Sequence, residues 1–271
     1  MRESVEQLAP VAAQAQHAVV AKDMSLVFQT ADTPVTALSD VNLTIARGEF
    51  VSFIGPSGCG KTTLMRVIAD LERPTAGTML VNGVSAEQAR LARAYGYVFQ
   101  AAALYPWRNV LKNVMLPLEI VGVPAAARRE RALKQLALVG LEGFERKYPW
   151  QLSGGMQQRA SICRALIHEP RMLLLDEPFG ALDAFTREEL WNVLRDLWSV
   201  QRFNVILVTH DLREAVYLAD TVYVMSKRPG RIVARRQIDL PRPRDLEITY
   251  TDRFTELVHE LRARIGKVRN S

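Results

Sequence analysis

Phe50-Val51-Ser52-Phe53-Ile54-Gly55-Pro56-Ser57-Gly58-Cys59-Gly60-Lys61-Thr62-Thr63 decides the fold. The run Phe50–Ile54 is apolar and of strand length, and Gly55–Thr62 matches the phosphate-cradling pattern G-x-x-x-x-G-K-[ST] at every fixed position. Glycines at 55, 58 and 60 let the backbone bend so that consecutive N–H groups point inward at phosphate oxygens. Lys61 is placed to reach the β- and γ-phosphates, and a helix starting near Thr62 adds the positive end of its dipole. The Thr62 hydroxyl is a Mg²⁺ ligand by position, and Thr63 completes the expected nucleotide-binding set Gly55, Pro56, Ser57, Gly58, Cys59, Gly60, Lys61, Thr62, Thr63. This points to a nucleoside triphosphatase.

Two further apolar strands end in chemistry. Met172-Leu173-Leu174-Leu175-Asp176-Glu177-Pro178 closes on adjacent carboxylates, the place where phosphate-loop enzymes hold Mg²⁺ and orient attacking water. Strand side chains alternate, so Asp176 is assigned to the metal and Glu177, facing differently, to the water. Val205–Val208 ends in Thr209-His210-Asp211, which puts an imidazole at the same sheet edge, as a γ-phosphate contact. Leu152-Ser153-Gly154-Gly155-Met156-Gln157-Gln158-Arg159 reads as a helix start with Ser153 as N-cap, although Met156 cannot complete a capping box. A second anion-seeking loop in one chain makes sense if two chains meet and each completes the other's site.

The strand runs Val51–Ile54, Tyr97–Phe99, Met172–Leu175 and Val205–Val208 alternate with helical patterns such as Leu190, Val193, Leu194, Leu197 and Trp198, which argues for a three-layer α/β core. Between about 101 and 165 apolar residues keep helical spacing and no strand is legible, so this segment is read as a helical insertion. Thr221–Ser226 and Arg231–Arg236 flank Pro229-Gly230 as two strands around a turn, and Phe254, Leu257, Val258, Leu261 and Ile265 mark an amphipathic final helix. The expected organisation is a loose tail over 1–20, an ATP-binding domain over 21–240, and a helical extension over 241–271.

The 271 residues are 48% hydrophobic and 24% charged, as in globular chains, and no apolar run approaches the roughly 20 residues of a membrane span. Any membrane role is therefore peripheral. Cys59 and Cys163 form no disulfide framework or metal cluster, as in a reducing cytoplasm. The net charge of +6 is dispersed over the chain without interleaved aromatic residues, so nucleic acid is not an expected partner. Cys59 adjoins Lys61 and a helix start, from which a depressed thiol pKa and ATP-protected alkylation are expected.

The order of these motifs resembles that of ATP-binding subunits of ABC transporters: phosphate loop, Gln100 after a strand, signature Leu152–Gln157, Asp176-Glu177, Ala181-Leu182-Asp183 and His210. The resemblance implies a P-loop NTPase (ABC ATPase) core with a helical subdomain and a small antiparallel β portion. It implies that Phe28 stacks on adenine, Gln100 touches Mg²⁺ and senses a membrane partner, and Asp183 couples two sites. Two chains would then sandwich two ATP molecules head to tail as a homodimer, with Ser153, Gly154, Gly155 and Gln157 of one facing the γ-phosphate held by Lys61 of the other. Tyr105-Pro106-Trp107, Tyr148-Pro149, Pro178–Asp183, Pro229–Ile232 and Leu240–Arg244 are similar to importers of nitrate, aliphatic sulfonates and taurine. That implies a separate permease, an extracytoplasmic substrate-binding protein, and a peripheral position on the cytoplasmic face of the inner membrane. The competing expectation is a soluble ABC-type ATPase acting on nucleic acid or ribosomes. Two residues depart from the pattern: Asp70 stands where Gly often follows the phosphate-loop helix, and Cys163 where Ala is usual.

Overall fold

A computed structural model describes residues 17–270. Two sheets organise it. A four-stranded antiparallel sheet, in the order β2-β1-β4-β5, is built from β1 (His17–Phe28), β2 (Val35–Ala46), β4 (Ala76–Val81) and β5 (Val84–Ser85). A six-stranded sheet in the order β10-β9-β3-β8-β7-β6 holds β3 (Phe50–Ile54), β6 (Tyr95–Val98), β7 (Met172–Asp176), β8 (Asn204–Val208), β9 (Thr221–Met225) and β10 (Ile232–Gln237). All its pairings are parallel except β9 with β10.

Strands β3, β8 and β9 are buried along their whole length, as parallel strands covered on both faces must be. Their alternate residues go to different cores. Phe50, Ile54, Leu173, Leu175, Val205 and Leu207 pack with the helices on one face. Val51, Phe53, Leu174, Ile206 and Val208 pack on the other face with the antiparallel sheet and the helix that follows the phosphate loop, α1 (Lys61–Ile68). The expected three layers and the small antiparallel portion are both present. Alternating Leu43, Ile45 and exposed Asn42, Thr44 put β2 in that antiparallel layer, half buried.

The connection from β6 to β7 carries α3 (Val110–Ile120), α4 (Ala125–Leu138), a 3-10 turn at Pro149–Gln151 and α5 (Gly154–Leu166), so the expected helical insertion over 101–165 is helical throughout its regular structure. After β7 come α6 (Ala184–Gln201) and α7 (Leu212–Leu218); α2 (Ala86–Leu91) lies before β6. The last helix, α8 (Asp252–Asn270), buries Phe254, Leu257 and Leu261 in the same core as Phe50 and Trp198, so the segment after 240 shares the core of the domain it follows. Of the expected tail over 1–20, residues 1–16 lie outside the described residues, and His17–Val20 are the start of β1, where Ala18 and Val19 are buried. Strand β6 begins at Tyr95, earlier than the expected Tyr97, because Gly96 continues the strand where α5 crosses it: a Cβ there would lie 2.1 Å from the Ala165 carbonyl oxygen.

Candidate functional site

Parallel order brings the C-terminal ends of β3, β7, β8 and β9 to one edge, and each ends in a segment that the sequence singles out. At the end of β3 the phosphate loop turns into α1 through Gly60, whose φ of 101° a side chain would resist. Leu38 of β2 presses on Gly60 from behind. Lys61 is buried, and its ammonium donates to the carbonyl oxygens of Gly55 at 3.0 Å and Pro56 at 3.1 Å. Backbone acceptors of the loop thus hold the cation where an anion will meet it.

From β7, Asp176 accepts the Thr62 hydroxyl at 2.8 Å on one oxygen and the Tyr97 hydroxyl at 3.3 Å on the other. Burial raises its pKa, opposed by these two hydrogen bonds. Glu177 has φ of 46°, in the left-handed region, and its N–H donates to the Val208 carbonyl at 2.9 Å. This backbone turn swings its side chain away from Asp176 toward β8, where Glu177 Oε2 lies 3.1 Å from His210 Nδ1. Gly180 brings a third group to the same place, since a Cβ there would sit 3.7 Å from Gln100 Nε2 and 3.9 Å from His210 Cε1.

An open cavity of about 490 Å³ covers the loop. Ser57, Gly58, Gly60, Lys61, Thr62 and Thr63 form its floor, and Glu177 stands at one end. Phe28, Thr30, Val35 and Ala37 form the wall that the antiparallel sheet contributes. Of the predicted loop set, Gly55, Pro56 and Cys59 do not line the cavity; they lie beneath it and brace Lys61. The depressed thiol expected for Cys59 is corrected: the side chain is 1% exposed, and burial raises its pKa against the opposing pull of Lys61.

The signature segment is folded as expected, with Ser153 accepting from Met156 N at 3.3 Å as the cap of α5, and Gln157 donating to the Leu152 carbonyl at 3.3 Å. Ser153, Gly154 and Gly155 do not reach the cavity of their own chain. Gly155 leans on the first turn of α6 and Gly154 on the residue ahead of its cap, since a Cβ on Gly155 would lie 2.3 Å from Thr186 Cγ2 and one on Gly154 3.4 Å from Leu182 Cδ2. Asp183 caps that helix through Thr186 N at 3.0 Å.

Several residues at the site were not read from the sequence. Arg187 donates to the Leu182 carbonyl at 3.1 Å and to Asp211 at 2.9 Å, and its Nε lies 3.7 Å from Glu214. Glu214 is buried, accepts the Thr209 hydroxyl in a short hydrogen bond, and its pKa is pushed up to about 7 by burial. This network ties the Leu182-Asp183 turn to the segment that carries His210. Its only sequence signal was proximity to motifs, since an Arg or Glu in a helix first turn is ordinarily solvated.

Hard oxygen donors suit Mg²⁺, and the Thr62 hydroxyl and Asp176 carboxylate meet at 2.8 Å. No group of three or more His, Cys, Asp or Glu that could hold a metal occurs among the described residues, so such an ion would need oxygens from phosphate and water. The arrangement as a whole can bind a polyphosphate, hold an acid–base pair beside its terminal group and exclude little water by itself.

A family model described as ABC transporter matches residues 38–180. An uncharacterized ABC transporter ATP-binding protein of Methanocaldococcus jannaschii is 49% identical, the match covering 83% of each chain. A taurine import ATP-binding protein of Yersinia pestis bv. Antiqua is 48% identical over 75% of this chain and 79% of its own. An aliphatic sulfonates import ATP-binding protein of Bacillus licheniformis is 45% identical over 77% of this chain and 80% of its own. Among solved structures, a dimeric post-hydrolysis state of an ATP-binding cassette bound to ADP and Pi superposes with a TM-score of 0.73 at 34% identity, covering 82% of this chain and 100% of that one.

Proposed function

Because this chain belongs to the ABC transporter family and is an ATP-hydrolysing importer subunit, we propose that it dimerises on ATP and drives a separate membrane permease for a small anion of the nitrate, sulfonate or taurine kind. The observation that carries the proposal is the split site. Ser153, Gly154 and Gly155 form a second anion-seeking loop that does not line the chain's own cavity, which leaves it to close over the cavity of another copy. Dimeric cassettes among the structural neighbours support this arrangement.

Within each site, Lys61 and the loop N–H groups bind the triphosphate and neutralise charge as the γ-phosphoryl group leaves. Phe28 stacks on the base from the wall of the antiparallel sheet. Glu177 orients the water and accepts its proton, while His210 fixes the carboxylate and contacts the γ-phosphate. Thr62, Asp176 and Gln100 hold Mg²⁺, which supplies charge stabilisation for the phosphates when bound. Gln157 of the facing loop and Asp183 at the dimer seam report closure from one site to the other.

No helix among the described residues is long and apolar enough to cross a membrane. The import-type names of the relatives support a peripheral position on the cytoplasmic face of the inner membrane, with permease subunits and, through them, an extracytoplasmic binding protein as partners. Relatives named as import proteins favour transport over action on nucleic acid or ribosomes. Affinity capture of the Glu177→Gln protein from detergent-solubilised membranes with MgATP tests this directly. Recovery of a polytopic permease is expected; recovery of ribosomes or DNA-associated proteins with no permease would overturn the transport role.

A further inference from the structure

The same cavity has a wall that no motif describes. Strand β9 lies beside β3 and parallel to it, so the segment leaving β9 rises next to the phosphate loop, on the flank opposite β8 and β7 and hence opposite Glu177. That segment, Ser226–Arg231, is firmly seated. Ser226 Oγ shares its one proton between the carbonyls of Lys227 at 2.8 Å and Pro229 at 2.9 Å and accepts Arg231 N at 2.9 Å. Gly230 exchanges backbone hydrogen bonds with β2, giving its N–H to Ala37 at 2.9 Å and receiving Ser39 N at 3.1 Å. It also packs so closely on the phosphate loop that a Cβ would fall 2.1 Å from the Cys59 carbonyl oxygen.

Two arginines ride on this segment and are treated differently. Arg231 fastens it, with contacts to Ser39 Oγ at 3.1 Å and Asp40 at 3.3 Å. Arg228 lines the nucleotide cavity, and among the described residues no hydrogen bond, ion pair or ring contact holds its side chain. An unpaired guanidinium on a fixed loop, facing a cavity floored by phosphate-binding N–H groups, has the geometry of a phosphate ligand awaiting its partner.

We propose that Arg228 is a further nucleotide-binding residue, donating to the α- and β-phosphates of ATP and ADP from the flank opposite Glu177. The inference rests on the ATP-binding reading of this cavity and adds a ligand to it. Its position determines which phosphates it meets. The transferred γ-phosphoryl group lies at the Glu177 end, so a cation on the far flank serves the phosphates that stay with the leaving nucleotide. Arg228 therefore stabilises ground state and transition state alike, which lowers KM without raising kcat.

Binding of fluorescent N-methylanthraniloyl-ADP with Mg²⁺, and steady-state ATP hydrolysis, measured on the purified full chain, test the assignment. For Arg228→Ala we expect Kd for the ADP probe and KM for ATP to rise together by about tenfold, with kcat moving far less, and Arg228→Lys to recover part of the loss. Because the side chain is exposed, both variants keep the fold. An unchanged Kd for Arg228→Ala overturns the proposal, as does a fall in kcat at constant KM, which would move the residue to the γ-phosphate. If the unaltered chain itself fails to bind the probe, the ATP-binding reading fails first.

Discussion

Single residues separate binding from chemistry. The Lys61 ammonium is the cation that the loop carbonyls position, so Lys61→Ala is expected to weaken ATP binding by more than about 100-fold in equilibrium titration. Glu177→Gln leaves those contacts intact and removes the proposed proton acceptor, so kcat is expected to fall by about 10²–10⁴ while ATP still binds. A thiol adjoining Lys61 reads as reactive in sequence, yet Cys59 is packed under the loop. Slow labelling by maleimide in the native protein, accelerating on unfolding, is the expected result. Asp70 departs from a Gly-preferring position without departing from its conformation. Its φ of 51° is the left-handed geometry that a helix end requires, Asp tolerates it, and Arg90 pairs with its carboxylate at 2.8 Å.

Elements carry the coupling between these residues. The contact of Gly155 on Thr186 joins the signature helix α5 to α6, and Arg187 joins α6 to the His210 segment. Gly155→Ala drives a methyl group into Thr186, so it is expected to depress ATP turnover while leaving nucleotide affinity of the single chain unchanged. Glu214 adds a pH signature. Its folded pKa of about 7 exceeds the ordinary 4.5, so the fold favours the protonated form, facing Thr209, Arg187, Asp211 and Glu177. The stability this group lends is complete below pH 4.5 and is lost as pH rises through about 7. Glu214→Gln removes the dependence, so the melting temperature of the variant should gain on the unaltered protein between about pH 5 and 8. Legibility in the sequence followed the same division. Strands β3, β7 and β8 are short apolar runs ending in polar motifs, and a doubly covered strand cannot look otherwise. Strands β1 and β2 escaped notice because Lys22, Asp23, Asp40 and Asn42 interrupt them at bulged or exposed positions, which blurs the alternation of a half-buried sheet. Arg187, Arg228 and Glu214 were illegible because their roles depend on partners brought together by topology, more than local sequence can encode.

At the scale of the whole molecule, one chain lines a single cavity with its phosphate loop, Phe28 and Glu177, and leaves its signature loop outside that cavity. On the proposed function, a second copy uses it. Association is expected along the edge where the strands end, because the phosphate loop and its cavity lie there. The most direct measurement is the light-scattering mass of purified Glu177→Gln protein with MgATP and with MgADP. The expected result is twice the 30.5 kDa chain mass with MgATP and the single-chain mass with MgADP. A protein that binds ATP and stays at the single-chain mass would contradict the split site on which the proposed function rests.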